Sequence, residues 1–280
     1  MSAASYLLPA RLLLVCGLGL FVAACGSMGR STQEARVAEL TSDTQGVQST
    51  NIEALTEIVR RNPQDAVALN LRGAAYARIG RYGEAVADFS RALTINPSFA
   101  EAYTNRALAY RQQGRDELAL QDFTAAIQSN PSYDPAYLGR ANLHRAQNRF
   151  ELALADLDYA VRLRPESAQL VHARGLIHQR QGDHRRAVND FDAAIDRNPF
   201  AAAPYQARGQ SLIILGRIDQ AIEDFNAALN VDNRNPDAWV GLGVAFERKG
   251  DRVKATENFQ RALAVQPDNA AAKAGMARLR

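Results

Sequence analysis

The chain has 280 residues, 47% of them apolar and 22% charged, which is the composition of a folded globular protein and excludes a disordered one. Its 33 basic and 30 acidic residues leave a formal net charge of +3. No run of basic residues is interleaved with aromatic ones and no zinc-finger spacing occurs, so the sequence gives no case for nucleic-acid binding.

The first 24 residues predict an export signal. A lone positive charge at Arg11 precedes an apolar stretch over 12–24, which is shorter than the roughly 20 residues that a membrane-spanning helix needs. The segment VAAC at 22–25 resembles the lipobox of bacterial lipoproteins, and this resemblance implies that Cys25 becomes the first mature residue and carries lipid. An ordinary signal peptide whose cleavage site contains a cysteine is the alternative.

The mature chain would keep a single thiol, because Cys16 lies within the predicted signal and Cys25 directly follows it. No disulfide could then form within the mature protein. The fatty chains that the lipobox implies on Cys25 would hold the protein at a membrane face. Gly26 stands where many Gram-negative lipoproteins of the inner membrane have Asp, so we expect the periplasmic face of the outer membrane.

Residues 25–50 are polar and free of aromatic side chains, which predicts a flexible tether. At its end, Thr50 and Glu53 form a capping-box pair ahead of apolar residues at helical spacing. We therefore predict an amphipathic helix over residues 51–61, within a capping segment 51–65 that covers the N-terminal end of the region that follows.

A unit of 34 residues then recurs six times without insertion or deletion. The units span 66–99, 100–133, 134–167, 168–201, 202–235 and 236–269. Counted from the first residue of each unit, the eighth, twentieth and twenty-seventh places always hold glycine or alanine. Such residues let two antiparallel helices approach closely, while an aromatic side chain fills the notch between them.

This pattern resembles the tetratricopeptide repeat. The resemblance implies an all-α fold, a right-handed α-solenoid of helix-turn-helix units in which each unit buries its apolar face against its neighbours. An alanine-rich segment at 270–280 predicts a C-terminal capping helix.

Two other sets of places predict turns and ion pairs. The fifteenth place holds glycine, or Asn148 in the third unit, which predicts a left-handed residue that ends each first helix. Arginine at the seventh place and aspartate at the twenty-third recur in the first five units and are lost together in the sixth, where Leu242 and Asn258 stand. Their joint loss predicts a structural pair across the two helices of a unit.

The histidines give no catalytic or metal-binding pattern. His172 and His178 lie on different faces of a predicted helix, and His184 follows Gly182 in the turn. His144 and His178 occupy the eleventh place, where three other units carry an aromatic residue, so we interpret them as packing residues. We expect no enzyme activity, no metal and no cofactor.

The predicted binding site is the concave groove of the solenoid, which in similar proteins is lined by the second, fifth, sixth, ninth, twelfth and thirteenth places of the first helices. Amide side chains there can bind the backbone of an extended peptide. A rim of arginines follows, although the helix dipole alone also favours cations at these helix ends. The candidate residues are Asn70, Thr104, Asn105, Arg111, Asn142, Arg145, His172, Arg180, Gln210, Ile213 and Ile214.

Two features of this groove bear on the kind of ligand that it is expected to bind. It lacks the lysine with which similar repeats hold an acidic peptide terminus, which argues against a clamp of that kind. Ile213 and Ile214 place apolar side chains where other units are polar, which indicates a contact with a partner or a second copy, or packing against the neighbouring unit.

Together, the signal and the repeats resemble small bacterial lipoproteins of the new lipoprotein I type. The resemblance implies a non-catalytic scaffold of the bacterial cell envelope that binds extended segments of partner proteins, with peptidoglycan-remodelling enzymes as the expected partners. An accessory protein of a secretion, pilus or polysaccharide-export system is one alternative. A regulatory subunit of an envelope enzyme is another, and a homodimer remains open.

Overall fold

The computed structural model describes residues 45–279, in which every regular element is a helix. The expectation of an all-α solenoid is confirmed for this part of the chain. The predicted export signal, Cys25 and most of the predicted tether lie outside the described residues.

The N-terminal helix spans Gln45–Arg61, so it begins before residue 51, where the sequence predicts its start. The last residues of the predicted tether are therefore helical, and Thr50 lies inside the helix and does not cap it. Extending a helix costs much less than nucleating one, and no proline interrupts this segment. Ile52 and Val59 are buried, and Val59 packs with Leu69 and Leu93 of the first unit.

Each of the six units consists of two helices. The first helices span Ala66–Arg78, Ala100–Gln112, Asp134–Ala146, Ala168–Arg180, Ala202–Ile214 and Pro236–Lys249. The second helices span Tyr82–Ile95, Asp116–Ser129, Phe150–Leu163, His184–Arg197, Ile218–Val231 and Arg252–Val265. A last helix, Ala270–Arg278, packs on the sixth unit, as predicted for the C-terminal cap.

The turns between paired helices contain the predicted left-handed residue. The fifteenth place has a positive φ in every unit, at Gly80, Gly114, Asn148, Gly182, Gly216 and Gly250. Asn148 has a φ of 56°, a conformation that asparagine tolerates better than most other residues with a side chain. The prediction from the sequence is confirmed at each of these positions.

Phenylalanine rings at the twenty-fourth place lie against the small residues of the first helices. A Cβ added at Gly73 would lie 2.7 Å from the ring of Phe89, which is too close for two carbon atoms. A second notch, which the sequence did not reveal, comes from the sixth place of the next unit. There, a Cβ added at Gly139 would lie 2.2 Å from Phe123 of the second unit. The same ring therefore contacts two successive units.

The predicted arginine and aspartate pairs form in each of the first five units. Nε and Nη2 of the arginine donate to the two carboxylate oxygens of the aspartate, over distances of 2.6 to 3.0 Å. The pairs are Arg72–Asp88, Arg106–Asp122, Arg140–Asp156, Arg174–Asp190 and Arg208–Asp224. The aspartates are buried, and we call these five pairs the ladder.

The remaining Nη1 of each ladder arginine reaches a polar side chain of the helix that precedes its unit, which is the N-terminal helix for Arg72 and the second helix of the preceding unit for the other four. In Arg140, for example, Nη1 donates to Thr124 of the second unit at 3.2 Å. One guanidinium group thus joins two helices of its own unit and also the unit before it. In the sixth unit, Leu242 is buried in the core instead, and the Asn258 amide donates to the carbonyl of Lys254 at 2.7 Å.

Candidate functional site

The first helices line the concave side of the array. In the described part of the chain, first helices of consecutive units contact one another, whereas no second helix contacts the next second helix. An array that is crowded on one side and spread on the other bends toward the crowded side. We call the exposed surface of the first helices the groove face.

Two predicted binding residues do not reach the groove face, and this corrects the expectation for them. Asn70 is only 1% exposed. Its amide donates to Oε1 of Glu101 at 3.0 Å, and its carbonyl oxygen accepts from Nδ2 of Asn105 at 3.0 Å. Thr104 is also buried and donates to the carbonyl of Ala100. Asn70 therefore joins the first helices of the first and second units, whereas the bond of Thr104 stays within its own helix.

Three further candidates lie on the groove face with polar atoms at or near the surface. Asn105 and Asn142 are half-buried, and Gln210 is exposed. An amide both donates and accepts, so each of these side chains can bind a peptide group of an extended chain. Asn105 already uses one donor on Asn70, which leaves Asn142 and Gln210 as the better candidates.

His172 lies half-buried in the middle of the groove face. Its ring is 5.7 Å from that of Phe191, between centroids. Burial, followed by the positive charge of Arg145, lowers the pKa of His172. The imidazole is therefore neutral at pH 7 and offers one donor and one acceptor.

Three arginines of the groove face come from consecutive units, and we call Arg111, Arg145 and Arg180 the groove arginines. Arg145 is half-buried, and its Nε lies buried without a hydrogen-bond partner. Burial, followed by the charges of Arg180 and Arg111, lowers the pKa of Arg145. Among the residues that the structure describes, no carboxylate pairs with any of the three. The middle of the groove face therefore carries three positive charges without a paired carboxylate.

The two isoleucines of the fifth unit differ in burial. Ile213 is half-buried and packs on the core of the fifth and sixth units, which fits the packing alternative. Ile214 is 63% exposed and remains a candidate contact. One apolar side chain is thus available near the C-terminal end of the groove face.

A hollow of about 350 Å³ lies between the first and second units and was not predicted from the sequence. Leu108, which is 42% exposed, lines it together with Ala74, Ala77 and the aromatic ring of Tyr82. The small alanines at the ninth and twelfth places of the first unit open this space. That pair of small residues was the signal in the sequence that could have revealed it.

The described residues contain no cluster of histidine, cysteine, aspartate and glutamate that could hold a metal ion. His144 is buried, His178 is half-buried, and neither Nδ1 has a hydrogen-bond partner. Nε2 of His178 lies 3.8 Å from Asp190 of the ladder. Burial is the main cause that lowers the pKa of both histidines, so they are neutral packing groups at pH 7. Within the same part of the chain, no helix combines the length and apolarity needed to cross a membrane.

Sequence profiles of known families match most of the repeat region. A profile described as TPR repeat matches residues 73–114 and 209–250. Two profiles described as tetratricopeptide repeat match residues 100–133, and residues 138–178 and 172–213. Together these matches cover more than half of the chain. The chain belongs to the tetratricopeptide repeat family.

Solved structures of other tetratricopeptide repeat proteins share the fold. The APC/C hetero-tetramer Cut9-Hcn1 gives a TM-score of 0.75 at 21% identity, over 90% of this chain and 49% of that one. PilF of Pseudomonas aeruginosa gives 0.69 at 18% identity, over 78% of this chain and 100% of that one. YrrB, described as a TPR protein with an unusual peptide-binding site, gives 0.54 at 25% identity, over 66% of this chain and 96% of that one.

These comparisons identify a scaffold suited to protein–protein interaction. The chain spans about half the length of the Cut9-Hcn1 chain that it matches. A search of curated protein sequences finds no significant match.

Proposed function

We propose that this tetratricopeptide repeat protein is a non-catalytic scaffold that binds an extended segment of a partner protein on its groove face. One observation carries the proposal. On the groove face, the side chains of Asn142, Gln210 and the groove arginines have no hydrogen-bond or ion-pair partner within the described part of the chain, whereas the ladder pairs each of its arginines with an aspartate of the same unit.

The chemistry of the groove face suits an extended chain better than a compact ligand. Asn142 and Gln210 can donate to and accept from peptide groups, with little dependence on the side chains of the ligand. Leu108 and Ile214 offer apolar contacts near opposite ends of the array. A long surface with separated contacts fits a segment that runs along several units.

A photocrosslinking experiment tests this proposal. The full chain carries a photoreactive amino acid at Leu108 on the groove face or, as the control, at Val253, which is 70% exposed on a second helix. We expect protein adducts after irradiation of cells with the group at Leu108 and none with the group at Val253. Adducts from both positions, or none from Leu108, would contradict the proposal.

The second part of the proposal is anchoring in the bacterial cell envelope through lipid on Cys25, at the periplasmic face of the outer membrane. The lipobox segment and the adjacent polar residues support it. Cys25→Ser is expected to move the protein into the soluble periplasmic fraction, because a signal peptide alone gives no stable anchor after cleavage. A variant that still sediments with membranes would contradict it.

Peptidoglycan-remodelling enzymes are the partners that we propose, by analogy with lipoproteins of the new lipoprotein I type. An accessory role in secretion, pilus assembly or polysaccharide export, or a role as regulatory subunit of an envelope enzyme, would use the same groove face. Mass spectrometry of the Leu108 adducts separates these roles, since each supplies a different class of partner. Size-exclusion chromatography with light scattering reports whether two copies associate.

A further inference from the structure

The groove arginines differ from the ladder arginines in what surrounds them. Each ladder arginine has a bidentate aspartate at 2.6 to 3.0 Å. Arg145 is about as buried, yet its Nε has no partner, and its charged neighbours are the cations Arg111 and Arg180. A charge that is partly removed from water and faces like charges is unfavourable unless an anion neutralises it.

Helix capping does not account for this arrangement. A cation in the last turn of a helix is favourable because unpaired carbonyl groups lie there. In the first helix of the third unit, the carbonyl groups of Leu143, His144 and Arg145 already accept from backbone N–H groups of the turn, at 2.8 to 3.1 Å. Nor would helix capping require that arginines of three successive units lie close enough for the charges of Arg111 and Arg180 to act on Arg145.

The residues around the groove arginines indicate what kind of anion they bind. The second to fourth units each supply one groove arginine, and Asn142 of the third unit lies one turn before Arg145 on the same helix. Guanidinium groups bind carboxylates through two parallel hydrogen bonds. Apolar side chains stand on both sides, with Leu108 in the second unit and Ile214 in the fifth.

We infer that the groove arginines bind the side-chain carboxylates of an acidic stretch within an extended peptide, with apolar residues of that peptide on either side. This inference rests on the proposed function, because it names the class of segment that the groove face binds. It places the acidic residues inside the segment and not at its C-terminus. The contacts come from Arg111, Arg145 and Arg180, with Asn142 bound to the peptide backbone beside them.

The test starts from a displayed library of random peptides, so that no natural partner has to be known. The full chain selects binders, and their sequences should be enriched in internal Asp and Glu between apolar residues. One binder is synthesised in three forms: with a C-terminal amide, with a free C-terminus, and with every Asp and Glu replaced by Asn and Gln. We expect the first two to bind equally and the third about tenfold or more weakly, measured by fluorescence anisotropy.

Arginine variants locate the acidic contact. Arg145→Gln and Arg180→Gln should each lower the affinity for the acidic peptide about tenfold. The affinity for the form in which Asn and Gln replace every Asp and Glu should stay unchanged. Arg180 is exposed, so its substitution tests the inference even if Arg145→Gln disturbs folding. Arg248→Gln removes an equal charge from an exposed first-helix end in the sixth unit, and it should change the affinity less than about twofold.

The outcomes separate this inference from the proposed function. Failure to select any peptide would contradict both. Peptides selected without enrichment of acidic residues, or equal binding of the acidic and amide forms, would leave peptide binding in place and overturn the role of the arginines. Binding that requires the free C-terminus would overturn it too, because the site would then hold a chain end.

Discussion

The ladder and the groove face use the same residue type in opposite ways. Arg140 of the ladder and Arg145 of the groove face lie on one helix and are both half-buried. Arg140 donates to both oxygens of Asp156, whereas the charged groups that act on Arg145 are the cations Arg111 and Arg180. The difference teaches that burial alone does not separate a structural arginine from one that we propose to bind a partner. The decisive property is whether the same protein supplies the counter-charge.

The largest expected effect comes from breaking the ladder. Arg140→Met should lower the free energy of unfolding by about 3 kcal/mol, because it leaves the buried carboxylate of Asp156 without a partner. Urea denaturation monitored by circular dichroism measures the change. Arg186→Met is the control, since the side chain of Arg186 is 72% exposed in its pair with Asp183 and should lose at most about 1 kcal/mol. Equal losses for the two variants would remove the structural role of the ladder.

A double-mutant cycle measures how strongly Arg140 and Asp156 stabilise each other. Arg140→Met and Asp156→Leu together should cost less than the sum of the single changes, with a coupling of about 1 to 3 kcal/mol, because the double variant leaves no buried charge unpaired. The four proteins are compared by urea denaturation at one pH and salt concentration. Additive effects would show that the two residues do not stabilise each other.

An arginine-to-methionine substitution on the groove face should increase stability, whereas the same change in the ladder lowers it. Arg145→Met is expected to raise the free energy of unfolding by about 0.5 to 1 kcal/mol, because it removes a partly buried charge and its repulsion by Arg111 and Arg180. The measurement is urea denaturation without any peptide present. A loss of stability like that of Arg140→Met would mean that Arg145 has an internal partner after all.

The smallest expected effect is on the titration of His172. Arg145→Met should raise the pKa of His172 because one positive neighbour disappears, but burial, the larger cause, should keep it below the usual value of about 6.5. A folded pKa below the unfolded one gives stability that is full above pH of about 6.5 and is lost as the pH falls. This loss should be smaller in the variant. NMR of the imidazole resonances measures the pKa, and an unchanged value would place Arg145 too far away to matter.

The sequence predicted the ladder because five units repeat it and the sixth lacks both members. It did not predict the isolation of Arg145, since that depends on which side chains the adjacent units bring near. Asn70 was misjudged for the same reason: Glu101 and Asn105, which surround it, belong to the next unit. The repeat period predicts which residues of one unit lie together, whereas contacts between adjacent units depend on how the units pack in three dimensions.

The early start of the N-terminal helix shows a second limit of prediction from sequence, which concerns the position of helix ends. The capping box at Thr50 and Glu53 was a sound local signal, but the helix continues through it to Gln45. Local motifs predict where a helix can begin, and the absence of a breaker before them decides where it does begin. The lipid anchor and Cys25 lie outside the described residues and stay predictions.

The shared phenylalanine rings have a mechanical consequence for the array. A ring wedged against two successive units couples them, so separating the units exposes both sides of the ring at once. The third unit carries the smaller Leu157 at this place, between Ala141 and Ala173. We expect the joint between the third and fourth units to open at a lower free-energy cost than the other joints. Amide hydrogen exchange should therefore be faster at this joint than at the other joints between units. Arg145 and Arg180 lie on opposite sides of that joint. An acidic segment bound to both would therefore hold the two units together and reduce the opening of the joint.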